Sequence, residues 1–254
     1  MMPMLEVKDL RVSFGERNVV DGVSFILEEG HWLMLIGPNG AGKSTIVNAI
    51  AQSVNYTGKI LYNGTDLKRF KPTQLARCIG ILSQNHSVGY GFTVEEVVRL
   101  GRYSYAPGIF SRHSDVDEKN VERALELTGI GELLSQSVLT LSGGELQRTF
   151  LAQLLAQDPK ILILDEPTNH LDLVYQKQVF ALIREWLSES GRAVISVVHD
   201  LSLARAYGTD AVLLQKGKDV MTGSISDAFD PDILNEVYAM DVRAWMYTML
   251  SQWE

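Results

Sequence analysis

A run of five apolar residues, Trp32-Leu33-Met34-Leu35-Ile36, stops abruptly at Gly37-Pro38-Asn39-Gly40-Ala41-Gly42-Lys43-Ser44-Thr45. The apolar run predicts a short buried strand, and the residues after it fit the phosphate-loop pattern G-x-x-x-x-G-K-[ST] in full. Glycines let the backbone curl until several N–H groups point at one anion, and the helix predicted from Thr45 to Gln52 adds its positive N-terminal end. Lys43 supplies a point charge suited to β- and γ-phosphates, and Ser44 a hydroxyl suited to Mg²⁺. Ile46, Val47, Ala49 and Ile50 give that helix an apolar face, so the loop has the strand before it and the helix after it that the motif requires.

The chain of 254 residues is 46% hydrophobic, ample for a buried core. No apolar run approaches the roughly 20 residues that cross a bilayer, and Glu6, Lys8 and Asp9 rule out a leader-like start, so a soluble protein that stays inside the cell is expected. The single cysteine, Cys78, in a strand-like Ala76–Ser83 segment, is expected to fill core space in a reducing compartment. Asn55-Tyr56-Thr57 and Asn63-Gly64-Thr65 are turn chemistry rather than glycosylation acceptors. A formal charge of -8 argues against nucleic acid as a partner; Lys68-Arg69-Phe70-Lys71 is the one candidate for a local basic patch and reads better as a solvated loop.

Leu5, Val7, Val12 and Phe14, a turn at Gly15–Asn18, and Val23, Phe25 and Leu27 alternate as an antiparallel opening. Gly58–Tyr62 with Asn63-Gly64 predicts another strand and tight turn. From Val88 to about Asp158 the texture is helical: Thr93-Val94-Glu95-Glu96 is a capping box for a helix to about Arg102, and Ser114–Asp117 opens a second that Gly129 stops. A linker, Tyr103–His113, contains Pro107 and Gly108. A third helix follows Leu141-Ser142-Gly143-Gly144 to Gln157. Strands and helices then alternate: Ile161–Leu164 as strand, Tyr175–Glu189 as helix, Ala193–Val198 as strand. Ala211–Gln215 and Lys218–Thr222 flank a turn at Lys216-Gly217, and Asp230-Pro231 caps a helix to Tyr238. Residues 242–254 fit strand and helix equally. The expectation is an α/β fold: residues 1–87 and 159–254 form a mixed sheet flanked by helices with an antiparallel β subdomain, and 88–158 an inserted helical subdomain.

Asp165 and Glu166 follow a buried strand, at the carboxyl edge where ligands of open α/β sheets bind. Asp165 there can hold Mg²⁺ through water, and Glu166 can take a proton from an attacking water. His199 ends another buried strand, within reach of a γ-phosphate. Phe14, upstream of the phosphate loop, has a ring that could stack on adenine or fill the core. His31, His86, His113 and His170 lack metal-ligand spacing. Ser142-Gly143-Gly144-Glu145 joins a hydroxyl, paired glycines and a helix start, a second anion-facing element.

These motifs together resemble the ATP-binding cassette ATPases: the loop at Gly37–Thr45, Gln84 after a strand, Leu141-Ser142-Gly143-Gly144 followed by Gln147-Arg148, Ile161–Pro167, Leu171-Asp172 and His199, in one order from near residue 5 to about 225. The resemblance implies a P-loop NTPase core and a head-to-tail homodimer, in which Ser142, Gly143 and Gly144 of one copy close over phosphates bound by the other. By similarity ATP is the nucleotide, Ser44, Gln84 and Asp165 surround Mg²⁺, Glu166 is the base, His199 holds the γ-phosphate and Asp172 spans the seam. Two positions depart from the family: Phe14 stands where Tyr is common, and Glu145 where the signature commonly has Gln.

Phe92–Tyr103 and the acidic helix near Asp115–Leu127 resemble the ATPase subunits of bacterial importers for iron-chelates, haem and cobalamin. That branch implies membrane permease subunits docked near Gln84, a separate substrate-binding protein, and a cytoplasmic location on the inner face of the cell membrane. The alternative is a soluble cassette ATPase, of which the iron–sulfur assembly type is the hardest to separate. Clamp-type repair cassettes carry coiled coils and ribosomal types two cassettes per chain; this chain shows no heptads and one cassette.

Overall fold

A computed structural model describes residues 2–83, 91–105, 114–168 and 171–253. Its two compact units are residues 1–68 with 195–254, and residues 69–194.

The first unit opens with β1 (Leu5–Phe14) and β2 (Arg17–Leu27), paired antiparallel as alternation predicts. The wholly buried β3 (Trp32–Ile36) leads through the glycine loop to α1 (Lys43–Ile50). That helix starts two residues earlier than predicted because Gly42, at φ 102°, turns the chain directly into it. β4 (Thr57–Tyr62) and β5 (Thr65–Asp66) follow, joined by Asn63 and Gly64 at φ 45° and 76°. The sheet order is β2-β1-β4-β5. Lys68 and Arg69 are exposed in a short turn, as expected of a solvated segment.

The second unit corrects one expectation at once. Pro72 sits at the first turn of a helix, α2 (Pro72–Cys78), which carries Cys78 at its end, so the strand there is only β6 (Ile79–Leu82). Proline with a pre-set φ opens a helix well, and this outweighed the apolar alternation around Ala76. Cys78 is half-buried and does not fill a core position. Next come α3 (Val94–Leu100), α4 (Asp115–Thr128) and α5 (Gly143–Ala156), with both predicted capping boxes formed and Gly129 at φ 62° ending α4. α3 and α4 pack on α5. β7 (Ile161–Asp165), fully buried, runs parallel to β6. Asp172 caps α6 (Leu173–Leu187), two residues ahead of the predicted start, by accepting the Tyr175 N–H at 3.0 Å.

The boundary between the units falls within β8 (Ala193–Val197); in the second unit the Ala193 N–H donates to the Lys160 carbonyl, and in the first the Val198 N–H, just past the strand, donates to the Leu35 carbonyl. The first unit then resumes with α7 (Leu201–Tyr207), β9 (Asp210–Gln215) and β10 (Lys218–Ser224). β9 is parallel to β3 and antiparallel to β10, so the α/β sheet is mixed, as expected. α8 (Ile225–Ala228) and α9 (Pro231–Tyr238) lead to α10 (Val242–Leu250), which settles the segment that sequence left open. In the core of this unit the Trp32 Nε1–H donates to Ser196 Oγ at 2.8 Å.

Candidate active site

The phosphate loop is packed into the first unit at two of its glycines. Gly37, at φ 141°, has no room for a side chain, because a Cβ would lie 2.1 Å from the Leu214 carbonyl oxygen. At Gly42 a Cβ would lie 2.8 Å from the Val19 carbonyl oxygen. Gly40, at φ 77°, faces open space. Only glycine meets both the left-handed geometry and the close approach. Lys43 is buried, and its ammonium donates to the Gly37 and Pro38 carbonyls at 2.8 and 3.0 Å. The cation is therefore held in the curl of the loop, beside the N-terminus of α1, where an anion gains from both charge and helix dipole.

Two supports were not read from the sequence. The Gly217 N–H donates to the Ala41 carbonyl at 3.1 Å, so the Lys216-Gly217 turn braces the loop as well as joining β9 to β10. The Tyr238 phenol oxygen accepts from the Gly37 backbone N–H; burial pushes its pKa up, this bond offsets part of that, and the phenol stays neutral. The helix end at Tyr238 was visible in sequence, but its approach to Gly37 is set by tertiary packing.

His199 follows β8 by two residues and is exposed. Because the Val198 N–H reaches the Leu35 carbonyl at 3.5 Å, the chain leaves β8 beside the end of β3, and His199 emerges at the end that gives rise to the phosphate loop. Phe14 is 55% exposed at the end of β1, which removes the core-filling reading of its ring. His31 pairs its Nδ1 with Asp210 Oδ2 at 2.5 Å. Gln84, His86, His113 and His170 lie outside the described residues, as does the Tyr103–His113 linker beyond Tyr105.

The second unit holds the acid pair and the glycine signature together. Asp165 ends β7 and is buried, while Glu166 is half-buried at φ 54°. A left-handed backbone at a non-glycine residue costs about 1–3 kcal/mol and persists only where the surroundings enforce it. Here the residue that follows is held from α5, because Gln147 Nε2 donates to the Pro167 carbonyl at 2.9 Å.

Ser142 and Gly143 are exposed at the start of α5, and Gly144 is buried against the Tyr175 ring, where a Cβ would meet ring carbons at 3.1 Å. Tyr175 is the residue whose N–H is capped by Asp172, so signature and Asp172 share one patch. Glu145 closes a capping box. The Ser142 N–H and Oγ–H donate to its Oε2 at 2.8 and 2.7 Å, and its own N–H donates back to Ser142 Oγ at 3.4 Å. These bonds, from the Ser142 hydroxyl first and then its N–H, with the Arg148 charge, hold the Glu145 carboxyl below the usual range against slight desolvation. The S-x-x-E spacing of a capping box was present in the sequence and identifies this role.

Residues 20–169 match the ABC transporter family. The chain belongs to that family. It is 34% identical over 243 residues to the iron(3+)-hydroxamate import ATP-binding protein FhuC of Bacillus subtilis, covering 95% of this chain and 90% of that one. It is 40% identical over 237 residues to the hemin import ATP-binding protein HmuV of Streptomyces coelicolor, covering 93% and 83%. An uncharacterized ABC transporter ATP-binding protein of Bacillus subtilis, YvrA, is 36% identical over 96% of this chain, which spans 55% of that protein. Among solved structures, the ADP conformation of MJ1267, an ATP-binding cassette of an ABC transporter, superposes with a TM-score of 0.81 at 23% identity over 94% of this chain and 99% of that one, a likeness of fold. As a member of the ABC transporter family the chain binds ATP.

Proposed function

We propose that this chain is the ATP-hydrolysing subunit of an importer for an iron chelate or haem, working as a homodimer on membrane permease subunits that receive cargo from a substrate-binding protein. The observation that carries the reading is a phosphate loop with a buried, loop-held lysine in a chain that is 34–40% identical to ATP-binding subunits named for hydroxamate and hemin import. Those relatives favour it over a soluble iron–sulfur assembly ATPase.

In this reading Gly37–Thr45 wraps the phosphates of ATP, Lys43 exchanges the Gly37 and Pro38 carbonyls for phosphate oxygens, and Phe14 offers its exposed ring to adenine. Ser44, Asp165 and Gln84 contribute a hydroxyl, a carboxylate and an amide, the oxygen donor set that suits Mg²⁺. When bound, Mg²⁺ neutralises charge on the β- and γ-phosphate oxygens. Glu166 takes the proton of the attacking water while His199 holds the γ-phosphate. Ser142 and Gly143 are exposed on the patch that also holds Asp172, which supports a surface closing over a second copy's nucleotide.

Glu166→Gln tests the assignment. Nucleotide affinity should be kept while turnover falls about 10²- to 10⁴-fold, the contribution of a positioned general base, and an ATP-bound dimer should accumulate. Near-normal hydrolysis would sink the role given to Glu166.

A further inference from the structure

The N-terminus of α5 already carries an anion. Glu145 Oε2 takes both hydrogen-bond donors that Ser142 can offer, its N–H at 2.8 Å and its hydroxyl at 2.7 Å. It lies in the first turn, where the helix dipole favours negative charge. We propose that Glu145 is a displaceable stand-in for phosphate, a positioning residue that keeps the Ser142 donors aligned and sets the ATP concentration at which two copies close. The inference rests on the reading that Ser142–Gly144 close over a partner's nucleotide.

The argument is one of exchange. For Ser142 to donate to a γ-phosphate, its hydroxyl and N–H must leave Glu145, so one charge-assisted bond replaces another and the net gain is small. The displaced carboxylate then remains near a more highly charged anion, which opposes closure. A neutral residue able to make the same capping bonds would be displaced more easily and would leave no repulsion behind. Glutamine makes the backbone half of this cap elsewhere in the protein. At the start of α2, Gln74 Oε1 accepts the Lys71 N–H at 2.9 Å in the equivalent position. Aspartate caps equally well while keeping the charge, because Asp117 accepts the Ser114 N–H at 2.9 Å and the Ser114 hydroxyl at 2.8 Å. The two substitutions therefore separate charge from capping geometry.

The experiment is a titration of dimer formation with Mg-ATP, followed by analytical ultracentrifugation of the full chain carrying Glu166→Gln so that nucleotide is not consumed. Added Glu145→Gln should lower the ATP concentration for half-dimerisation about tenfold, roughly 1.4 kcal/mol, with unchanged ATP affinity of the monomer. Glu145→Asp should keep the parent midpoint. A midpoint that stays or rises in Glu145→Gln, or an equal shift in both variants, overturns the proposal. Ser142→Arg in the same background tests the underlying reading: loss of the dimer supports the trans contact, and an unshifted dimer refutes that contact, on which this proposal depends. Circular dichroism of each variant confirms that α5 is intact before the midpoints are compared.

Discussion

Gly37, Gly42 and Gly40 are alike in sequence yet sit in three different steric situations. A methyl at Gly37 would overlap the Leu214 carbonyl and disturb the N–H that Tyr238 accepts. At Gly42 it would press on the Val19 carbonyl, and at Gly40 it would meet only the left-handed backbone penalty of about 1–2 kcal/mol. Alanine substitutions should therefore rank Gly37, then Gly42, then Gly40 in lost ATP affinity and lost thermal stability, with Gly40→Ala within about tenfold of the parent. Isothermal titration with ATP and thermal melts of the three variants check the order. At this scale the motif residues were legible because phosphate chemistry restricts residue types. The braces were not, since Tyr238 and Gly217 reach the loop only after α9 and the β9–β10 turn have packed.

Among the elements, the helices of the second unit are stitched by an ion pair between buried Arg102 and half-buried Asp117. Arg102, 4% exposed, donates to Asp117 at 2.8 Å and to the Ala156 carbonyl at 2.9 Å, with its guanidinium 3.8 Å from the Tyr105 ring centroid. Burial pushes the Asp117 carboxyl up, but the Ser114 N–H and hydroxyl and the Arg102 charge outweigh it and bring the pKa down to about 2. A carboxyl lowered in the folded state contributes stability that is full above its ordinary value near 3.8 and is lost as pH falls toward about 2. Asp117→Asn should cost about 1–3 kcal/mol at neutral pH, by leaving Arg102 only its backbone and ring partners, and the difference from the parent should shrink between about pH 4 and 2. Urea denaturation across that range measures both.

Element legibility followed periodicity and caps: α4 and α5 were visible because polar caps bracket an amphipathic run. α2 was hidden because seven residues next to a strand show too little period. α10 was ambiguous because Trp245, Met249 and Leu250 are about half exposed, so apolar residues do not mark an inner face. Its start was nonetheless marked, since Asp241 caps it by accepting the Ala244 N–H at 2.8 Å.

For the whole molecule, no helix among the described residues is long and apolar enough to cross a membrane. The proposed importer reading puts the work on cargo in another chain, and under it affinity capture of the tagged protein from solubilised membranes should recover a polytopic permease. Recovery of a strictly soluble partner would favour the assembly ATPase instead. The α/β class was legible from the alternation of strands and helices, whereas the pairing of β9 with β3, far apart in the chain, depends on long-range register that no local pattern encodes. The bond from Gln147 to the Pro167 carbonyl has a consequence at this scale. It joins the helix proposed to touch a partner's nucleotide to the strained turn that carries Glu166, the proposed base. Under the proposed dimer a displacement of α5 would be felt at Glu166, so each site would sense whether the opposite one is loaded, which predicts positive cooperativity between two ATP molecules that never meet.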